Sequence, residues 1–459
     1  MPGNMSLEAL KEAAASGEID TVLVAAIDMQ GRLMGKRFHV RNFLDSAWKE
    51  THCCNYLLAT DIEMTTVQGY KSTSWQAGYG DYVMQADMTT LRRIPWQEGT
   101  ALVLCDLLDH HTHKPVPHSP RAILQAQVAR ARAMGFEPMM ATELEFYLFE
   151  NSYESLRDSH QRFGQLRDLQ AISAHNEDYG IFQTTKEEEV MRALRNGLYA
   201  AGIPVECSKG EAEAGQEEIN IRYSDALDTA DNHSITKTAT KEIAWSKGRS
   251  VTFMAKYDHH RAGSSSHVHQ SLWQDGQPAF RDEADAHGMS ALMKHFLAGQ
   301  LAHIGDITAF LAPNVNSYKR FTVGMFAPTK AVWSRDNRTA GFRVCGEGTS
   351  GVRVECRIGG ADLNPYLALA ALLAAGLDGI DNKMVLEPEM RGDMYHSKEA
   401  RDIPATLHDA AERMQGSAML RAAFGDDVID HYHHAARWEI AEHNRVVTDF
   451  EISRLMERA

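Results

Sequence analysis

Residues 142–148 read TELEFYL, and their strict alternation puts Leu144, Phe146 and Leu148 on one face of a strand and Glu143 and Glu145 on the other. At ~3.3 Å rise per residue the two carboxylates stand ~6.6 Å apart along the chain and repel unless a cation neutralises them. Three more segments repeat this plan. In residues 211–223 (EAEAGQEEINIRY), Ile219, Ile221 and Tyr223 define an apolar face, Glu218, Asn220 and Arg222 define the other, and Glu211 precedes a bend at Gly215. In residues 266–272 (SHVHQSL), His267, His269 and Ser271 share a face. In residues 352–358 (VRVECRI), Val352, Val354, Cys356 and Ile358 oppose Arg353, Glu355 and Arg357.

One such strand is what any half-solvated sheet displays. Four in one chain, each with ligand chemistry on its polar face, point to a common chamber. Carboxylates are the usual ligands of Mg²⁺ or Mn²⁺, with imidazole as an addition. Interleaved guanidiniums grip phosphate and carboxylate groups in a fork. Acids for cations beside arginines for anions predict phosphoryl transfer from a metal nucleotide, and the residues alone also admit a dinuclear metal hydrolase.

Outward from these strands, residues 21–28 (TVLVAAID) read as a strand that turns at Gly31 into a second, residues 34–40, making a hairpin. More strands follow to about Leu108, and the His/Pro-rich stretch 110–120 reads as a linker. Ser119-Pro120 then starts a helix. Helical patterns recur over 186–201, 228–247, 289–311, 364–380 and the last fifty residues. Strands and helices without a regular βαβ beat predict an α+β fold.

Composition narrows the function. The chain has 459 residues, 44% of them hydrophobic and 24% charged, which excludes a disordered or collagen-like class. A net charge of −15 repels phosphate backbones and anionic lipid, so neither nucleic acid nor a membrane is expected as partner. The longest apolar run, Pro365 to Leu377, is shorter than the ~20 residues a bilayer span needs and reads as a buried helix. The cysteines, at 53, 54, 105, 207, 345 and 356, form no C-x-x-C pair, and the start carries no secretory pattern, so a cytoplasmic protein is expected.

Other motifs carry less. Residues 346–351 (GEGTSG) match G-x-G-x-x-G, but a strand rather than a helix follows, so they read as a plain loop. The histidines at 110, 111 and 113, at 259 and 260, and at 431, 433 and 434 lack a nearby acid set and read as linker or structural residues.

In order along the chain stand E-x-E at Glu143 and Glu145, G-Q-x-E at Gly215 to Glu218, and H-x-H at His267 and His269. NSYKR at 316–320, NRTAGFR at 337–343 and R-x-E-x-R at 353–357, running into NPYL from Asn364, complete the set. Together they resemble the glutamine synthetase superfamily over nearly the whole length. The resemblance implies a small N-terminal β-grasp domain, residues 1–112, and a large catalytic α+β domain, residues 113–459, with a mostly antiparallel curved sheet flanked by helices. It implies rings of subunits with active sites at their borders, hence a homo-oligomer, a dodecamer by family likeness.

It also implies roles. Glu145, Glu211 and Glu218 are similar to the ligands of one divalent metal, Mg²⁺ or Mn²⁺, and Glu143, His267 and Glu355 to those of a second that contacts nucleotide phosphates. Arg320 and Arg357 match the residues holding glutamate and its activated γ-carboxyl, with Gly263 in the same substrate site, and Arg338 matches the arginine on the transferred phosphate. His269, Ser271, Arg343 and Arg353 fall where the family contacts ATP. The implied reaction phosphorylates the γ-carboxylate of glutamate, after which an amine displaces phosphate.

The chain departs from the ammonia-using members in two places. No D-G-S-S occurs in residues 59–67 (ATDIEMTTV), and Phe326 in the loop 324–328 stands where those members place a Glu. Glu to Phe removes a charge and adds an apolar wall. The expectation is therefore the branch resembling glutamate-putrescine ligases and other γ-glutamyl amide synthetases, using a polyamine, alkylamine, ethanolamine or similar amine. Ammonia-dependent glutamine synthetase and a catalytically silent relative are the alternatives. Phe326 and Trp333 suggest an amine with an apolar body, Asp61 or Glu63 is a candidate carboxylate from a neighbouring subunit, and Tyr395 reads as a surface residue.

Overall fold

The structure is a computed structural model that describes residues 3–159 and 169–459. Among the described residues, strands gather into two sheets. The first begins with the expected hairpin: β1 (Thr21–Ile27) pairs antiparallel with β2 (Leu33–His39) from Thr21↔His39 to Ile27↔Leu33. At the hairpin's tip Gly31 has φ +80°, and a Cβ there would sit 3.1 Å from Asn364 Cα, so the turn packs on the start of a helix from the other end of the chain. Asn364 holds that contact by donating from Nδ2 to the carbonyls of Met29 (3.0 Å) and Asp28 (3.3 Å).

The remaining strands of this sheet are β3 (Thr51–Cys54), β4 (Asp81–Ala86), β5 (Arg92–Arg93) and β6 (Thr100–Asp109). Their order is β2-β1-β6-β4-β3, with β5 on β6 and the β1/β6 pair parallel. His110, His111 and His113 lie on an exposed turn after β6. The helix Pro120–Ala133 follows, with Ser119 at its N-cap and Pro120 in the first turn.

The second sheet carries the four polar-faced strands. Its members are β7 (Glu137–Phe149), β8 (Val205–Gly210), β9 (Gln216–Ile221), β10 (Ser224–Asp225), β11 (Ser250–Thr252), β12 (Val268–Gln274), β13 (Gln277–Pro278), β14 (Trp333–Arg335), β15 (Phe342–Cys345) and β16 (Arg353–Cys356). The main order is β14-β15-β16-β12-β7-β9-β8, antiparallel throughout except for β14/β15. This is the mostly antiparallel α+β arrangement expected. The register sets Glu145 opposite Glu218, Thr142 opposite Val268, and His269 opposite Glu355. Tyr223 departs from the expected pattern: β9 ends at Ile221, and Tyr223 lies beyond it, exposed.

Leu144, Phe146, Leu148 and Ile219 are buried on the apolar side, against the helices Glu188–Ala200 and Ala226–Ser246. The helix Pro365–Asp381 is buried on nearly every side, as its continuous apolar sequence predicts, and packs along Ala291–Leu311. Burying a Leu or Phe side chain stabilises by ~1.5–3 kcal/mol, so these contacts fix the sheet's register. One apolar cluster runs from Val22 and Val24 of β1 to Leu297 and Leu372 of the helices, joining both sheets. Among the described residues no helix is long and apolar enough to cross a membrane, and all six cysteines are free.

Candidate active site

The polar face of the second sheet is not solvated. Glu145, Glu218, His267, His269, Glu355 and Arg357 are all buried. Glu145, Glu211 and Glu218 bring carboxylate oxygens within 4.8 Å of one another. Glu145 is aimed by Ser265, which donates from its backbone N–H (2.7 Å) and its hydroxyl (2.8 Å). Glu211 is held by Lys209 Nζ at 2.5 Å, and Glu218 accepts from Asn220 Nδ2 at 2.9 Å.

Burial and the charge of Glu211 push Glu145 up to about 7, and burial with Glu143, Glu145 and Glu211 pushes Glu218 up to about 9. Three acids so placed fit a hard divalent cation in size and donor chemistry, since Mg²⁺ and Mn²⁺ take carboxylate oxygens at ~2.0–2.2 Å.

A second trio, Glu143, His269 and Glu355, also places ligand atoms within 4.8 Å. His267 approaches the same carboxylates, its Nδ1 lying 2.9 Å from Glu143 and 3.7 Å from Glu355. The geometry therefore brings both imidazoles, not His267 alone, to this pair of acids. They differ in what remains free. His269 is engaged at both nitrogens, accepting at Nδ1 from Arg353 (3.1 Å) and meeting Glu143 at Nε2 (2.8 Å). His267 has a buried Nε2 without a partner. Burial and Arg357 lower His267 to about 4, so it is a neutral imidazole that turns Nδ1, not Nε2, towards Glu143 and Glu355.

Glu355 is fully buried, yet Arg357 overcomes that burial and holds its carboxyl at about 2. Its oxygens accept from Arg357 Nη1 (2.5 Å) and Arg343 Nη1 (3.0 Å).

Arg320 is 1% exposed, and its guanidinium donates to the carbonyls of Ile358 (2.9 Å) and Arg357 (3.0 Å). Burial lowers it to about 10 while the field of Glu145 raises it. Gly263 backs this side chain: a Cβ at that position would lie 2.6 Å from both Ala255 O and Arg320 Cγ. Arg357 also donates from Nε to Arg338 O at 3.2 Å. The Arg338 side chain is exposed and lines an open cavity of about 660 Å³ with Phe326, Ser334 and Asn337. His269, Ser271 and Arg353 border a cavity of about 330 Å³ together with Glu143 and the loop residues Ser350 and Gly351. Arg343 reaches instead between Glu355 and Asp336.

Two side chains, Trp333 and Tyr395, fall elsewhere than expected. Trp333 is buried in the core with its indole N–H on Glu387 O (2.8 Å), so it does not wall the site directly. Tyr395 is not an ordinary surface tyrosine: its hydroxyl is buried against the Phe326 backbone and lies in the field of Arg357 and Arg320. Asp61 accepts from Trp438 Nε1 (3.1 Å) of its own chain and lines a separate cavity of about 860 Å³. Phe326 is 59% exposed with φ +53°, which leaves its ring at the rim. Ser265 and Lys209, which aim Glu145 and Glu211, escaped the sequence reading because neither belongs to an alternating polar face.

This geometry agrees with the comparisons to known proteins. The sequence profile described as glutamine synthetase, catalytic domain, matches residues 117–455, and the chain belongs to that family. The chain is 46% identical over 456 residues to the gamma-glutamylethanolamide synthetase GlnA4 of Streptomyces coelicolor, covering 99% of this chain and 96% of that protein. It is 36% identical over 443 residues to a glutamate–isopropylamine ligase of a Pseudomonas species, covering 96% and 95%. Among solved structures it resembles a GmaS/ADP complex with a TM-score of 0.84 at 26% identity, covering 98% of this chain and 99% of that one.

Proposed function

We propose that the chain is an ATP-dependent ligase that joins the γ-carboxyl of glutamate to an organic amine. The observation that carries this reading is the pair of buried acid clusters on one sheet face, with Arg320 and Arg357 behind them, in a chain related along its length to two named glutamate–amine ligases. Glu145, Glu211 and Glu218 would hold one divalent cation and Glu143, Glu355 and His267 a second, with His269 turned towards Arg353 and the nucleotide. Bound there, the cations supply charge neutralisation and orientation of the nucleotide phosphates.

Arg320 and Arg357 bind the carboxylate and fix it for in-line attack: a γ-carboxylate oxygen bonds to the terminal phosphorus as the bond to ADP breaks. Arg338 faces the transferred phosphoryl group, and His269, Ser271, Arg343 and Arg353 contact ATP. The amine nitrogen then bonds to the acyl carbon, phosphate leaves, and the nitrogen gives up a proton. Phe326 at the rim favours an amine with an apolar body, ethanolamine or a short alkylamine, over ammonium.

The reading extends to organisation. A β-grasp unit over residues 1–112, a catalytic unit over 113–459, a cytoplasmic location and a ring-shaped homo-oligomer, a dodecamer by family likeness, belong to the proposal. The exposed Val447, Phe450 and Met456 near the C-terminus support association with further copies.

The test is ADP release with glutamate and ATP against ammonia, ethanolamine, isopropylamine, polyamines and anilines. Turnover that needs glutamate and an organic amine is expected. Preferential turnover with ammonium would make the protein a glutamine synthetase, and phosphate release without any amine would overturn the ligase reading.

A further inference from the structure

Strand β9 carries acids on both faces. Glu218 points to the candidate active site, and its neighbour Glu217 points to the opposite side, where it meets Glu177 and Glu187. These three are 1%, 0% and 1% exposed. Their carboxylate oxygens lie within 4.8 Å of one another.

Among the described residues no Lys, Arg or His pairs with any of the three: Lys209 is held by Glu211 and Asp178, and Arg195 by Glu188. Glu177 accepts from the Gly215 N–H at 2.7 Å through one oxygen. Its other oxygen, both oxygens of Glu187 and one of Glu217 are buried and, among the described residues, find no N–H or hydroxyl donor, so Glu187 meets only the carboxyls of Glu177 and Glu217.

Three buried carboxylates in contact cannot all carry charge unless something positive joins them. A shared proton removes one of the three charges, whereas a divalent cation removes two and satisfies the orphaned oxygens together. Burial and the two neighbouring acids push Glu187 up to about 12, which shows how strongly the pocket disfavours a bare carboxylate. The field of Lys209 and Arg195 on Glu217 offsets part of the charge that a divalent ion would leave.

We propose that Glu177, Glu187 and Glu217 form a third, structural binding site for a hard divalent cation, on the face of β9 opposite the two catalytic clusters. It ties the segment from Glu177 to Glu187 onto β9 directly behind Glu218. Through Glu177 it also holds the Gly215 turn, which separates Glu211 from Glu218. The site needs no nucleotide or substrate, so it stands whether or not the ligase assignment does.

The experiment counts bound Mn²⁺ by electron paramagnetic resonance during titration of chelator-treated, nucleotide-free full-length protein. Glu187→Gln is expected to bind one Mn²⁺ per chain fewer than wild type while keeping the wild-type circular dichroism spectrum. An unchanged count in the folded variant would overturn the proposal; it is the result a shared proton gives, because glutamine closely mimics a protonated glutamate. If Glu187→Gln does not fold, Glu217→Gln is read the same way. If neither folds, the wild-type count decides: a third tight ion upholds the site, and a count that stops at two rejects it.

Discussion

An alanine at Gly263 would place a methyl carbon 2.6 Å from Arg320 Cγ and 2.6 Å from Ala255 O. Carbon atoms rest at ~3.5–4.0 Å, so roughly 1 Å must be found somewhere. The Ala255 side is anchored, because its oxygen accepts from the Ser264 N–H at 3.0 Å. Arg320 is pinned at its far end to two carbonyls, so its stem shifts and carries the guanidinium with it. Overpacking of this kind costs ~1–3 kcal/mol of stability. A displacement of ~1 Å in a positioning group costs on the order of 100-fold in rate.

The expected outcome is a kcat/KM for glutamate reduced roughly 10–100-fold, with the apparent KM for ATP nearly unchanged and a melting temperature lower by only a few degrees. Initial rates of ADP release with each substrate varied in turn provide the measurement. Gly416→Ala is the control, since a Cβ at Gly416 meets nothing within 4 Å. A folded Gly263→Ala enzyme with wild-type kcat/KM for glutamate would show that Arg320 does not hold this substrate.

Phe326→Glu restores a carboxylate at the rim of the site and is expected to lower the ratio of organic-amine to ammonium turnover by about tenfold or more, the scale on which an apolar pocket discriminates; an unchanged ratio in competing-amine assays would remove Phe326 from the amine subsite. His118 stacks on His431 with ring centroids 4.3 Å apart, and burial lowers it from 6.5 to about 4. The unfolded chain then binds the extra proton between those values, so this contribution to stability is present above pH ~6.5 and is lost as the pH falls towards 4, by about 3 kcal/mol at ~1.4 kcal/mol per unit. Thermal melts across this range should show the loss, and His118→Asn should flatten it; equal slopes for the two proteins would refute the assignment.

The sheet that carries the site was legible because its two faces obey different rules. Apolar residues at every second position fixed which way Glu143, Glu145 and Glu218 point, and nothing beyond strand geometry was needed. Register was not legible: that Glu145 faces Glu218, and His269 faces Glu355, depends on pairing between segments dozens of residues apart. Tyr395 was misplaced for a related reason. It sits in an irregular stretch with no periodicity, and only tertiary packing turns its hydroxyl inward. Trp333 was misjudged because a large aromatic near a site motif has the same sequence signature whether it walls the pocket or fills the core. The trio behind β9 left a single local trace, the first Glu of G-Q-E-E, and its partners at 177 and 187 come from a loop and the start of a helix.

The opposition of Glu145 and Glu218 across β7 and β9 is unfavourable by itself, since like charges facing each other across strands repel by a fraction of a kcal/mol to ~1 kcal/mol, more when buried. The two strands stay paired because Leu144, Phe146 and Ile219, on the reverse side, bury ~1.5–3 kcal/mol each. A slip of one residue would exchange those faces, exposing the leucines and driving the acids into the core. The apolar face thus selects the register, and the acid cluster is carried along as a consequence with repulsion left over. That residual repulsion is what a cation between Glu145, Glu211 and Glu218 would remove, so the sheet holds ligands at bonding distance that would otherwise separate. Metal affinity in this chain therefore depends as much on the packing beneath β7 and β9 as on the identity of the acids themselves.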